Sequence, residues 1–312
     1  MLQFLIIVLD DSCPSFCYYP ERPIQKIMEL SVLKKGILFA MKQNLMIQVI
    51  YPNYDIPEEY KQEIEKIDHV NIASYTNEYQ TNNLVIYSNI QEMVNAHTTS
   101  LPSVLRTTKK DLFANYIKLE SAILSCPHLN ISITDIDTFT ESDFVTYGQI
   151  LNVIGNFIAC EATKKFIPQL NLLTDRIFLT SMNNCNSGVS TISLCPNGKF
   201  YVCPGFYYDD KDLCVGDVDN GLTIKNQYLY RIDKAPICRR CDAYQCKRCI
   251  WLNKKTTLEV NTPSHEQCVV SHIERNASRD LSFRLKEKIG LNVEIKELDY
   301  LDPFDKVRRD LK

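Results

Sequence analysis

The chain lacks any apolar run long enough to span a membrane, any basic face that would point to nucleic acid, and any internal repeat or low-complexity tract. It has no glycine-rich phosphate loop and no nucleophile elbow. The longest apolar start, Met1 to Leu9, is broken only by Gln3, carries no basic leader and is closed by Asp10 and Asp11. It reads as a buried first strand, not a signal peptide or anchor. These absences predict a cytoplasmic protein with no membrane and no nucleic-acid partner, whose thiols stay reduced. With 312 residues, 23% of them charged, and a formal net charge of −3, the composition is that of a folded globular chain. A large domain followed by a smaller one is expected.

The first half alternates short apolar runs with amphipathic stretches. Leu5–Leu9, Met46–Ile50, Val70–Ser74, Leu84–Tyr87 and Ile131–Thr134 read as buried strands. Ser31 is the expected N-cap of a helix whose face carries Leu33, Ile37, Leu38 and Met41. Further helices are expected over residues 58–67, 109–124 and 142–164. Strand and helix in alternation predict an α/β fold with a parallel sheet.

Cysteine is what the chain has in excess. Of 13 cysteines, nine fall between Cys185 and Cys268. In a reducing compartment such clustering points to metal ligation more than to disulfides. Cys185 is followed by twelve residues, Gly198, four residues and Cys203. Then come Cys238-Arg-Arg-Cys241, Cys246-Lys-Arg-Cys249 and a lone Cys268. Zinc needs four ligands in a tetrahedron, usually from two knuckles held well apart. Here Asp242-Ala-Tyr-Gln245 alone separates the knuckles, so a single zinc is cramped, while two zinc ions remain an alternative. Iron–sulfur ligation uses the spacing better, because a tight run gives three thiolates to one cluster and a fourth to its neighbour. On that logic Cys238, Cys241, Cys246 and Cys268 hold one cluster, and Cys249 joins Cys185 and Cys203 at another.

This order of cysteines around Gly198 resembles the SPASM domain, with two one-residue shortenings inside the quartet. The resemblance implies two [4Fe-4S] clusters, the first on Cys185, Cys203 and Cys249 and the second on Cys238, Cys241, Cys246 and Cys268. A fourth ligand for the first cluster is missing from the segment just upstream. Cys195 and Cys214 are candidates for it, and an open iron is the other option. His265 and His272 flank Cys268, but histidines of this kind more often sit at the surface or in hydrogen bonds. Trp251 and the Tyr207-Tyr208 pair are expected to pack against the clusters.

SPASM domains follow radical SAM partial barrels, which place a three-cysteine motif after the first strand. Here Cys13-Pro-Ser-Phe-Cys17-Tyr-Tyr19-Pro20 keeps two cysteines and the aromatic, but Pro20, which cannot ligate a metal, stands where the third cysteine would be. The glycine pair expected after the second strand is replaced by Ile50-Tyr51-Pro52-Asn53. The S-adenosylmethionine site therefore reads as degenerate, and Cys13 and Cys17 as an inherited pair without a cluster. Most of the chain is similar to the CXXX repeat peptide maturases. Three stretches carry that likeness: Phe4-Leu-Ile-Ile-Val-Leu-Asp-Asp11, Met41-Lys-Gln-Asn-Leu-Met-Ile-Gln48 and Cys195-Pro-Asn-Gly-Lys-Phe-Tyr-Val-Cys-Pro204.

The expected architecture is a partial (β/α) barrel of radical SAM type over residues 1–178 and a small cysteine-rich SPASM domain over 179–275. A charged helical tail over 276–312 is expected to be solvated. The resemblance implies a role in maturing ribosomally made peptides, with a cysteine-repeat precursor as substrate and a companion maturation enzyme as a further partner. A zinc-stapled interaction protein and an unconventional SAM-cleaving enzyme are the alternatives.

Overall fold

The computed structural model describes residues 2–78, 83–96, 100–182, 184–293 and 295. Strand and helix alternate through the first half: β1 (Phe4–Val8), α1 (Leu30–Gln43), β2 (Met46–Ile50), α2 (Glu58–Ile64), β3 (His69–Ser74), β4 (Leu84–Tyr87), α3 (Ile90–Asn95), β5 (Ser103–Thr107), α4 (Lys109–Asn115), α5 (Glu120–Ser125), β6 (Leu129–Ile133) and α6 (Glu141–Glu161). After α7 (Asp175–Phe178) come β7 (Thr191–Leu194), β8 (Phe200–Tyr201) and α8 (Pro204–Asp209). A small ribbon follows, β9 (Gly216–Asp217) with β10 (Gly221–Leu222), and then α9 (Ile250–Thr257) and α10 (His265–Ile289).

Eight strands form one sheet in the order β6-β5-β4-β3-β2-β1-β7-β8. Every neighbouring pair is parallel except the β7–β8 hairpin. The expected α/β architecture with a parallel sheet is the observed one. Buried parallel strands need apolar side chains on both faces. Leu5, Ile6, Ile7 and Val8 in β1 are all buried accordingly. The sheet takes in residues on both sides of position 178, because β7 pairs with β1.

Three local expectations change. Helix α1 starts at Leu30, ahead of Ser31, and buries Leu33, Gly36, Ile37 and Ala40, leaving Leu38 and Met41 exposed. Gly36 sets this rotation: a Cβ there would collide with the Leu194 side chain on β7, so glycine lets the helix lie this close to the sheet. The expected helix over 109–124 is broken into α4, a 3₁₀ turn at Tyr116–Leu119 and α5. The expected solvated tail is instead, up to Ile289, the second half of α10, which packs along α6. Ser278, Leu281 and Leu285 are fully buried there, and Tyr147 donates to Glu274 at 2.8 Å. Position 294 and residues 296–312 of that tail lie outside the described residues.

The hairpin explains the glycine inside the cysteine pattern. Gly198 turns β7 into β8 with φ +77°, a left-handed conformation that glycine adopts without strain. Its amide donates to the Cys195 carbonyl at 2.9 Å.

Candidate functional site

The C-terminal ends of β1 and β6 meet the cysteine-rich segment, through Asp11 with Tyr207 and Ser132 with Lys247. In parallel α/β sheets that edge is where loops build sites. The loop after β1 is fastened there from several sides. Asp10 accepts from the Ser12 amide at 2.8 Å and from the Tyr54 hydroxyl at 2.8 Å, and Tyr207 donates to Asp11. Arg106, at the end of β5, donates to the Cys17 carbonyl at 2.9 Å and the Tyr19 carbonyl at 3.0 Å, and pairs with Glu21 at 2.6 Å. Tyr19 is buried and stacks on Tyr208 with ring centroids 5.5 Å apart.

The two cysteines of this loop part company. Cys13 is buried, and its thiol donates to the Ile50 carbonyl at 3.1 Å. Burial and the nearby Asp10 and Asp11 push it up, so it stays a thiol. Cys17 lies beside Cys249. Cys249 draws the Cys17 thiol down, with help from Lys247 and Arg106, and is itself driven up. Cys185 and Cys203 join them, and each of these four thiols is close enough to feel the charge of the other three.

Each of the four is set by a local device. Cys203 caps α8, its carbonyl accepting from the Phe206 amide at 3.2 Å. Cys249 caps α9, with the Leu252 amide 3.5 Å from its sulfur. Cys185 lies 3.0 Å from the Ser187 hydroxyl. Amide donors at helix starts favour thiolate over thiol, and they tune any cluster the sulfurs carry.

The other predicted ligands line a cavity of about 400 Å³. Cys238, Cys241, Cys246 and Cys268 are on its wall with Arg248 and His272. The Ala243 amide reaches the Cys241 sulfur and the Arg248 amide the Cys246 sulfur, both at 3.4 Å. Burial pushes Cys238 up to about 11 and Cys241 up to about 12, which opposes ionisation until a counter-charge arrives. That charge is at hand: Arg248 is 1% exposed, its Nε and Nη2 are buried without a hydrogen-bond partner, and its guanidinium lowers the Cys238 thiol. A buried cation with unused donors beside four thiols suits an anionic group in the cavity. His272 is buried with Nε2 3.7 Å from the Cys241 sulfur, whereas His265 is exposed at the helix start.

The knuckle loop is held from α10. Asp242 is buried against Arg275 at 2.9 Å and Arg279 at 2.6 Å, and Gln245 donates to the Ser271 carbonyl at 2.7 Å. Between the two thiol groups, Lys247 reaches Ser132 on β6 at 2.7 Å.

Among the described residues, no three His, Cys, Asp or Glu side chains stand close enough to share one metal ion. A lone zinc needs its sulfurs about 2.3 Å from the metal and therefore nearly touching one another. The third set of expected candidates stays apart: Cys195 is buried at the end of β7 beside Cys203, Cys13 and Asp11, and Cys214 lies partly buried near Tyr201. Trp251 and the Tyr207-Tyr208 pair are buried packing residues, and a Cβ on Gly205 would meet the Trp251 ring at 2.7 Å. Sequence reasoning missed Arg248, Asp242 and Glu274, and the signal for them was slight: charged residues inside or just after a cysteine run.

No family profile matches the chain, and no curated protein matches it in sequence. Solved structures do match. One is polyhistidine-tagged anSMEcpe with bound AdoMet, with a TM-score of 0.60 at 11% identity over 91% of this chain and 98% of that one. A second is native anSMEcpe with bound AdoMet and Cp18Cys peptide, with a TM-score of 0.60 at 12% identity over 92% and 100%. A third, with AdoMet and Kp18Cys peptide, has a TM-score of 0.58 at 11% identity over 91% and 99%. The fold they share with this chain is a mixed α/β one with a mostly parallel sheet, here of eight strands. At these identities the likeness is one of fold, and it extends over nearly the whole chain.

Proposed function

We propose that this chain is an iron–sulfur protein of ribosomal peptide maturation that binds or modifies a cysteine-repeat precursor peptide without cleaving S-adenosylmethionine itself. The observation that carries this reading is the divergence of Cys13 and Cys17. A SAM-cleaving cluster needs three thiolates from this loop, but Cys13 is buried on the Ile50 carbonyl, Cys17 lies beside Cys249, and proline stands at position 20. The residues after β1 do not fit that cluster, so no radical step is assigned to this loop.

On this reading the remaining thiols would hold two clusters, one at Cys185, Cys203 and Cys249 and one at Cys238, Cys241, Cys246 and Cys268. Bound there, such clusters supply electron transfer and a structural staple. The chain's own part is to hold the thiols: Lys247 and Arg248 balance their charge, the amide of Leu252 at the start of α9 bonds the Cys249 sulfur, and α10 fixes the knuckle loop through Asp242. The fold shared with peptide-bound anSMEcpe structures supports a peptide as substrate. A chain without its own SAM-cleaving cluster then works beside a companion enzyme that generates the radical.

The test is metal and product analysis on anaerobically purified protein. The expected result is about eight iron with matching sulfide, no 5′-deoxyadenosine after reduction with S-adenosylmethionine, and saturable binding of a cysteine-repeat peptide. Zinc in place of iron, or 5′-deoxyadenosine in quantity, would overturn the reading.

A further inference from the structure

We infer that Cys17 supplies the fourth thiolate of the first cluster, alongside Cys185, Cys203 and Cys249. This rests on the iron–sulfur reading and settles the ligand that the spacing of the C-terminal cysteines leaves open.

Three observations carry it. Arg106 on β5 holds the Cys17 carbonyl, while Lys247, two residues before Cys249, reaches Ser132, the register partner of Arg106 on β6. Tyr19 stacks on Tyr208 of α8, which Cys203 begins, so the Cys17 loop meets both C-terminal cysteine segments and the four thiols feel one another's charge. The two other candidates lack that placement. Cys195 has only Cys203 of the three as a neighbour and otherwise faces Cys13 and Asp11 on the far side of the loop, and Cys214 lies by Tyr201. Finally, the loop bearing Cys17 is not free to drift. Arg106 grips the Cys17 and Tyr19 carbonyls, the Ser15 hydroxyl lies 3.3 Å from the Cys17 amide, and Glu21 accepts from the Ser15 amide at 3.2 Å. A ligand position fixed by backbone hydrogen bonds before metal arrives lowers the ordering cost of ligation.

The consequence is a change of employment for the loop after β1. One of its two cysteines is packed away, and the other crosses to the C-terminal segment. The first cluster would then be closed by four thiolates, each giving up its proton on ligation. No iron is left open for a substrate thiol. The same cluster would tie the first strand of the sheet to the segment after β7.

The experiment compares Cys17→Ala, Cys17→Ser and Cys13→Ala with wild type, all purified anaerobically, by iron content, EPR of the reduced and oxidised forms, and far-UV circular dichroism. Wild type and Cys13→Ala are expected to hold about eight iron with the same EPR signals. Cys17→Ala is expected to drop toward about four iron, or to show the EPR signal of a three-iron cluster, with unchanged circular dichroism. If Cys17→Ala does not fold, Cys17→Ser decides: serine offers an oxygen ligand, so one of the two cluster signals shifts while the other stays. Wild-type iron and spectra in either folded Cys17 variant would overturn this inference alone. Wild type with little or no iron would overturn the iron–sulfur reading and the inference together.

Discussion

Asp242 and Arg275 are both buried, and the Arg275 Nη1 lies 2.9 Å from the Asp242 Oδ1. The pair joins the loop between the two Cys-x-x-Cys knuckles to the face of α10. Arg279 reaches the other carboxylate oxygen at 2.6 Å. Removing one member of such a pair strands charge away from water. Asp242→Asn is therefore expected to cost about 3 kcal/mol, read by chemical denaturation. A loss below about 1 kcal/mol would mean that the loop is held by Gln245 and the cluster alone.

Close packing at the cysteine caps gives a second expectation. Gly205, in α8, faces the Trp251 ring of α9, and an added Cβ would sit 2.7 Å from it. Gly205→Ala should cost about 1–3 kcal/mol, because Trp251 is buried and cannot swing aside. Thermal unfolding of the variant beside wild type measures it, and an unchanged midpoint would show that α9 shifts freely.

Glu274 makes stability depend on pH. Burial raises its carboxyl from about 4.5 to about 7, and the hydrogen bonds from Tyr147 and Gln245, with the charge of Lys247, offset only part of that rise. Below about pH 4.5 the folded and unfolded chains both hold the proton, and this contribution to stability is fully present. As the pH rises, the unfolded chain ionises first, so stability falls until the folded group ionises near pH 7. Glu274→Gln removes this fall. Its unfolding midpoint relative to wild type should climb between pH 5 and pH 8, by an amount on the order of 3 kcal/mol at most. A constant difference across that range would show that Glu274 is ionised in the folded protein.

Arg106 tests the anchoring of the loop after β1. It makes three contacts there and is mostly buried. Arg106→Ala should lose about 2 kcal/mol and release iron faster to a chelator than wild type does. Equal release rates would separate this arginine from cluster retention.

Removing metal should divide the chain by its packing. The parallel sheet rests on apolar side chains such as Leu5, Ile7 and Val49, which are fully buried without help from the cysteines. Residues 226–249 hold only short 3₁₀ turns. After chelation, amide exchange over 226–249 should rise sharply while β1 and β2 stay protected. Protection retained across 226–249 would mean that α10 alone orders the segment.

Much of the fold was legible in the residues. The runs Leu5–Leu9, Met46–Ile50 and Leu84–Tyr87 are strands because each is apolar, Gln48 apart, between turn-forming neighbours, which suits a sheet buried on both faces. β5 escaped notice because Pro102 precedes it and Arg106 closes it, and that arginine is there to grip the loop. The buried half of α10 read as solvated because its charged residues pair inward: Arg275 and Arg279 with Asp242, and Glu274 with Tyr147.

The cysteine spacing alone determined that Cys238, Cys241 and Cys246 would share one neighbourhood, since short knuckles keep them close whatever surrounds them, whereas α10 is what brings Cys268 to the same cavity wall. Local pattern also determined the parallel α/β sheet, because apolar periodicity dictates which face is buried. The fate of Cys13 and Cys17 was decided by the tertiary structure. Their spacing is that of a working pair, yet the parallel pairing of β7 with β1 brings Cys185 and Cys203 to the end of the first strand, and Arg106 turns the Cys17 backbone toward them. Contacts between residues so far apart in the chain depend on how the sheet closes, and no local pattern encodes that.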